Sequence, residues 1–220
     1  MAGTFEMGSD IEQPIHSVTL SAFKMLKFEV SAEEYKSCLE AGKCTTPDTS
    51  VSCTYNSAGK ENHPINCVDY SQSSSYCKWL GGDLPTEAQW EYAARGTDGG
   101  KYPWGNTEPS SSENDLANCD YNNCFDSFSE TSTVGSFEKG KSPFGLYDMA
   151  GNVWEWTADW YGNYTSEVVN NPTGPDTGTY RVIRGGSWGS GTGDLRVAIR
   201  FNDNPSGRYN SFGFLCAFPQ

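Results

Sequence analysis

Apolar and polar side chains alternate loosely between residues 15 and 30, a period-2 pattern that predicts strands in a hairpin or an edge pair. The period then changes. Ser31-Ala32-Glu33-Glu34 has the spacing of a capping box, so a helix should start there and end near Gly42. A second helix is predicted over Ser71 to Leu80, stopped by Gly81-Gly82. Thr86 and Gln89 make another capping box, opening a helix that runs through Ala94 and closes at Gly96. Residues 97–142 are rich in Gly, Ser, Asn and Asp and predict an ordered loop region. A loop of that length needs something to fix it, such as a metal or disulfides. Short strands are expected near 153–158, 181–184, 196–200 and 213–217. With no internal repeat or linker, the chain reads as a single α+β domain of few short helices, short antiparallel strands and much irregular loop.

The segment from Gly145 to Trp156, GLYDMAGNVWEW, stands apart from that pattern. In an alternating strand Trp154 and Trp156 share one face while Val153 and Glu155 point to the other. A carboxylate close to the Asn152 amide and to free backbone carbonyls suits a hard cation bound by oxygen. The competing reading is an aromatic core strand carrying a solvated Glu, because charged groups are mostly exposed.

Bulk properties narrow the partners. A net charge of −13 argues against nucleic acid, whose binding depends on Lys and Arg neutralising phosphates, and against an anionic membrane surface. No apolar run approaches the roughly 20 residues of a membrane span, so no membrane insertion is expected. No basic segment followed by an apolar one opens the chain, so an export signal has been removed or never existed. The 24 Gly and 11 Pro favour turns over long helices, which leaves the aromatic residues (14%) to supply much of the core.

Eight Cys are present, with no Cys-x-x-Cys pair and only His16 and His63 to join them, so a zinc site is not indicated. Eight Cys allow about a hundred pairings. Ranked by loop closure, they give Cys38–Cys44, Cys119–Cys124 and Cys53–Cys67, leaving Cys77 with Cys216. Paired Cys would place the protein in an oxidising, extracytoplasmic setting such as a periplasm or cell surface; the alternative is unpaired buried Cys in a cytoplasmic protein. Gly185-Gly186-Ser187-Trp188-Gly189 matches the nucleophile-elbow pattern, but no His follows His63 to serve as its base.

These residues together resemble the formylglycine-generating enzyme / sulfatase-modifying factor family. The likeness runs through Met1-Ala2-Gly3-Thr4-Phe5-Glu6-Met7-Gly8-Ser9, His63-Pro64-Ile65-Asn66-Cys67-Val68, Leu84 to Gly96, Tyr102-Pro103-Trp104-Gly105, Gly145 to Trp156, Arg184-Gly185-Gly186-Ser187-Trp188 and Gly213-Phe214. It implies a C-type-lectin-like fold spanning residues 1–220. It also implies structural calcium at two sites, one at Asn152, the carbonyl of Val153 and Glu155, the other around Asn118, Asp126 and Phe128. The family's oxidases hold copper(I) on two Cys just after the Arg-Gly-Gly-Ser segment. Anchored on Arg200, those positions are Thr192 and Val197, so no copper and no catalytic residue is expected here. The alternative is a sulfatase-modifying oxidoreductase, or another enzyme of the family.

From Gly189 to Leu215 a framework (Leu195, Arg196, Ala198, Arg200, Pro205, Arg208, Gly213, Phe214) is interleaved with small, polar and aromatic residues. This resembles the variable region of diversity-generating retroelement proteins, which also use a C-type-lectin-like fold. Their adenine rewriting cannot reach Lys, Glu, Gln, Met or Trp from an Asn codon. The stretch contains none of the five, where about five would be expected at the chain's own composition. Residues 188–217 are therefore expected to form a ligand-binding region, with Ser190, Thr192, Asp194, Ile199, Phe201, Asp203, Tyr209 and Ser211 as contacts. Arg184, Arg196 and Arg200 should brace it. The ligand class, whether protein, glycan or small molecule, stays open.

Overall fold

Among the described residues, capping decides where three α-helices begin. The computed structural model describes residues 1–109, 116–120, 124 and 126–220. Helix α1 covers Ala32–Glu40, α2 Tyr70–Trp79 and α3 Glu87–Arg95, each opened by a reciprocal capping box. In α3 the Gln89 amide N–H donates to Thr86 Oγ1 at 3.2 Å while the Thr86 N–H donates to Gln89 Oε1 at 2.9 Å. The box of α2 uses Asp69 and Gln72, so that helix starts one residue before its predicted position.

Among the described residues, nine short strands form three small sheets. Strands β1 (Gly3–Met7), β2 (His16–Leu20) and β5 (Val169–Asn170) make the first; β3 (Phe23–Met25) pairs with β9 (Ala217–Pro219). The third has the order β7-β6-β4-β8, with β4 Trp154–Trp160, β6 Arg181–Arg184, β7 Phe201–Asp203 and β8 Phe212–Gly213. Most pairs are antiparallel, but β2–β5 and β4–β8 are parallel.

Two expectations about strands are corrected. Residues 15–30 do not form a hairpin: β2 pairs with β1 while β3 pairs with the C-terminal β9. Ser21-Ala22 between them lacks the residues a two-residue hairpin turn requires. Residues 196–200 are not a strand, and the pairing strand begins at Phe201. The apolar alternation there is real, but Leu195, Val197 and Ile199 enter three different core clusters instead of one sheet face. Strands β1 and β5 were not anticipated.

The largest core cluster contains Tyr35, Tyr76, Trp156, Ile183 and Phe214, all under 4% exposed. All four disulfides have the pairing expected from loop closure: Cys38–Cys44, Cys53–Cys67, Cys77–Cys216 and Cys119–Cys124. Cys77–Cys216 closes a separation of 139 residues, tying α2 to the end of the chain inside this core. In the chain-entropy account such a loop is worth on the order of 5 kcal/mol. Among the described residues no helix is long and apolar enough to cross a membrane.

Candidate functional site

A buried ionic network fixes the backbone from which the predicted recognition surface rises. Arg184, at the end of β6 and without solvent exposure, donates to Glu91 Oε2 (2.5 Å), Glu87 Oε1 (3.1 Å) and the carbonyls of Val197 (2.8 Å) and Ala198 (3.3 Å). Arg200 grips Glu87 in a fork, Nε to Oε1 at 2.6 Å and Nη2 to Oε2 at 2.7 Å, and donates to the Gly162 carbonyl at 3.0 Å. Burial pushes the Glu87 carboxyl up, but Arg200 and Arg184 outweigh it and hold the group below its usual value. Arg184 and Arg200 brace the region as expected. Arg196 contributes less, its Nε reaching the Gly193 carbonyl at an exposed position.

The predicted contacts divide by burial. Phe201 is 45% exposed and Tyr209 48% exposed, yet each is seated on a buried ring. Phe201 meets Trp154 edge-on at 5.0 Å, Tyr209 meets Phe212 at 4.8 Å, and Phe212 meets Trp156 at 5.3 Å. Asp203, Ser211, Thr192 and Asp194 are partly exposed. The loop carrying Tyr209 is pinned from below: Arg208 pairs with Asp69 at 2.6 Å, and the Asn210 carbonyl accepts from Asn66 Nδ2 (2.7 Å) and Trp188 Nε1 (3.3 Å). Ile199 and Ser190 do not belong to the surface. Ile199 packs in the main core, and Ser190, 7% exposed, accepts the Ser187 N–H.

The reading of Glu155 as a solvated side chain fails, because both faces of β4 are covered and Glu155 has no exposure. Its Oε2 accepts the indole N–H of Trp90, while Oε1 has no partner among the described residues. Two buried acids that sequence reasoning missed lie near it electrostatically. Burial, followed by the charges of Asp148 and Glu155, raises Glu29; burial alone raises Asp148 to about 6. Glu155 itself is raised by burial and by Asp148. Glu29 sits between Phe28 and Val30 just before a helix cap, the same anomaly of an acid among apolar residues that marked Glu155.

Among the described residues, the predicted cation sites each contain one buried oxygen without a hydrogen-bond partner, Glu155 Oε1 in the first and Asn118 Oδ1 in the second, a donor set compatible with a hard cation. Asn152 is differently employed. Its Oδ1 accepts from Ser132 N (3.0 Å) and Asn118 Nδ2 (3.2 Å), and its Nδ2 donates to Glu29 Oε2 (2.6 Å). The Val153 N–H also donates to Glu29. Asp126 receives the backbone N–H groups of Cys119 (2.7 Å) and Phe128 (2.8 Å), and the Phe128 ring is 38% exposed. Among the described residues no three His, Cys, Asp or Glu side chains converge as metal ligands, so a cation here would depend on amide and carbonyl oxygens as well.

Compared with known proteins, residues 1–219 match the family model for the sulfatase-modifying factor enzyme 1-like domain. The chain belongs to that family. It is 36% identical over 173 residues to a formylglycine-generating enzyme from Streptomyces coelicolor, covering 72% of this chain and 54% of the relative. The solved structure of PvdO from Pseudomonas aeruginosa aligns with a TM-score of 0.83 at 31% identity, covering 98% of this chain and 91% of that one. Treponema denticola variable protein 1 aligns with a TM-score of 0.78 at 24% identity, covering 99% and 94%, a likeness of fold. The chain spans 24% to 56% of the length of curated relatives it matches. The fold class read from the sequence, α+β and C-type-lectin-like, agrees with these structures.

Proposed function

We propose that this family member is a non-catalytic binding domain, recognising a protein, glycan or small molecule through residues 188–217. Phe201 and Tyr209 are its aromatic anchors, and Thr192, Asp194, Asp203 and Ser211 its adaptable polar contacts. The observation that carries this reading is the division of one segment into two populations. Leu195, Val197, Ala198, Arg200 and Phe214 are buried, whereas every residue of the block between them, from Phe201 to Ser211, is partly or fully exposed. A fixed frame under exposed, chemically mixed side chains is what a binding surface of changeable specificity needs. The absence of Lys, Glu, Gln, Met and Trp from Gly189 to Leu215 supports diversification by a retroelement. Calcium, in this proposal, holds the loops behind the surface through Glu155 and Asn118.

The rival reading, a formylglycine-generating oxidoreductase, draws on the likeness to the Streptomyces coelicolor enzyme. It is disfavoured because all eight Cys are in disulfides and Thr192 and Val197 stand where the copper thiolates would be. Sequencing the few kilobases of DNA downstream of the gene tests diversification directly. A near-copy of the stretch encoding residues 188–215, differing where that copy carries adenine, is expected. Its absence removes the diversified form and leaves a binding domain of fixed specificity.

A further inference from the structure

A cavity of about 740 Å³ opens between β1, β2, the start of α3, the end of β4 and the 162–175 segment; of residues 188–217 it is lined by Arg200, and neither Phe201 nor Tyr209 reaches it. Its wall holds Asp159, which is 3% exposed. Asp159 Oδ2 accepts the Glu87 N–H at 2.8 Å, at the start of α3, while Oδ1 has no hydrogen-bond partner among the described residues. The neighbouring charges are already committed. Arg200 is spent on Glu87 and the Gly162 carbonyl, and Glu87 also faces Arg184 and the Tyr164 hydroxyl (3.3 Å). Met7, Val169, Pro172 and Pro175 give the same cavity an apolar side.

We propose that this cavity binds a protonated aliphatic amine, its ammonium on Asp159 Oδ1 and its stem against Met7, Val169 and Pro175. A buried carboxyl without a cation of its own is the costly feature here. Burial, then the charge of Glu87, push Asp159 up to about 7, against the opposing pull of Arg200 and Arg181. An ammonium group compensates both effects, whereas a hydroxyl supplies only a hydrogen bond. The amine comes either free or as a lysine side chain of a partner.

Because the carboxylate form is the binding form, affinity should rise as pH rises through about 7. The groups facing Asp159 are Glu87 on α3, Arg181 on β6, Arg200, and His16 and Tyr164 on the cavity wall. His16 Nδ1 donates to the Pro14 carbonyl (3.0 Å).

Calorimetry on the full chain with n-butylamine, Nα-acetyl-lysine methylamide and the neutral n-pentanol tests this, at pH 5.5 and pH 8. Saturable amine binding is expected, weaker at the lower pH on the order of tenfold, with n-pentanol far weaker. Asp159→Asn keeps an oxygen for the Glu87 N–H and should lose on the order of tenfold in affinity, along with most of the pH dependence. Binding of the lysine derivative without n-butylamine supports a partner side chain, and binding of both supports a free amine. Amine binding that is absent to about 10 mM, independent of pH in the wild type, or matched by n-pentanol overturns the proposal. The wild-type comparisons decide it even if Asp159→Asn does not fold.

Discussion

Arg184 donates to two carboxylates and two backbone carbonyls from a position without solvent exposure. The carbonyls, those of Val197 and Ala198, would in a strand be taken by a neighbouring ladder. A guanidinium takes the place of a strand here, which is why residues 196–200 alternate like β-structure without pairing. Removing it should therefore strand charge and backbone together. Arg184→Met is expected to cost about 3–5 kcal/mol, the range for breaking a buried ion pair from one side. Arg196→Met, at a half-buried position whose guanidinium meets, among the described residues, only the nearby Gly193 carbonyl, should stay within about 0.5 kcal/mol. Guanidinium unfolding followed by far-UV circular dichroism gives both numbers, and equal midpoints for the two variants would refute the bracing role.

At the level of elements, legibility followed the range of the deciding interaction. Capping boxes act over three residues, so Ser31, Thr86 and their partners announced α1 and α3 directly. Strand pairing depends on residues far away in sequence, so the join of β3 to β9 and the missing hairpin were invisible locally. The candidate site divides in the same way. Phe201 and Tyr209 could be placed on the surface from their setting, but Ile199 could not be told from them, since its burial comes from the main core. Glu155 is conspicuous in the sequence beside two Trp, while nothing local marks Asp148 or Glu29 as its neighbours, because their link to Glu155 is made only in three dimensions.

The loops around those acids carry the calcium prediction. The orphaned Glu155 Oε1 and Asn118 Oδ1 should become ligands when the ion is present. Excess EGTA is then expected to lower Tm by several degrees, with Ca²⁺ restoring it in a concentration-dependent way. Glu155→Gln should remove most of that response. A Tm unmoved by either chelator or Ca²⁺ would mean that these oxygens are simply uncompensated.

For the whole molecule, the four disulfides fit an oxidising environment, and they also bear on chemistry. The copper(I) site implied by the family resemblance is built on two thiolates, and every Cys here is in a disulfide. Reduction would not repair this. Reduced thiols would stay at their own positions, none of which is 192 or 197, although Cys119 and Cys124 pack in one cluster with Leu195. Val197 is moreover fully buried beside Trp90 and Leu215. A Cys-containing sulfatase-motif peptide incubated with the protein, copper and oxygen should keep its mass, with or without thiol reductant. The Streptomyces coelicolor relative, as the positive control, should convert the same peptide. Formylglycine in the test sample would establish a copper-independent or rearranged oxidase site and return the rival reading to first place. Unchanged mass in both redox states, beside conversion in the control, would support the binding-domain reading and would show that the oxidation state of the cysteines is not what withholds the reaction.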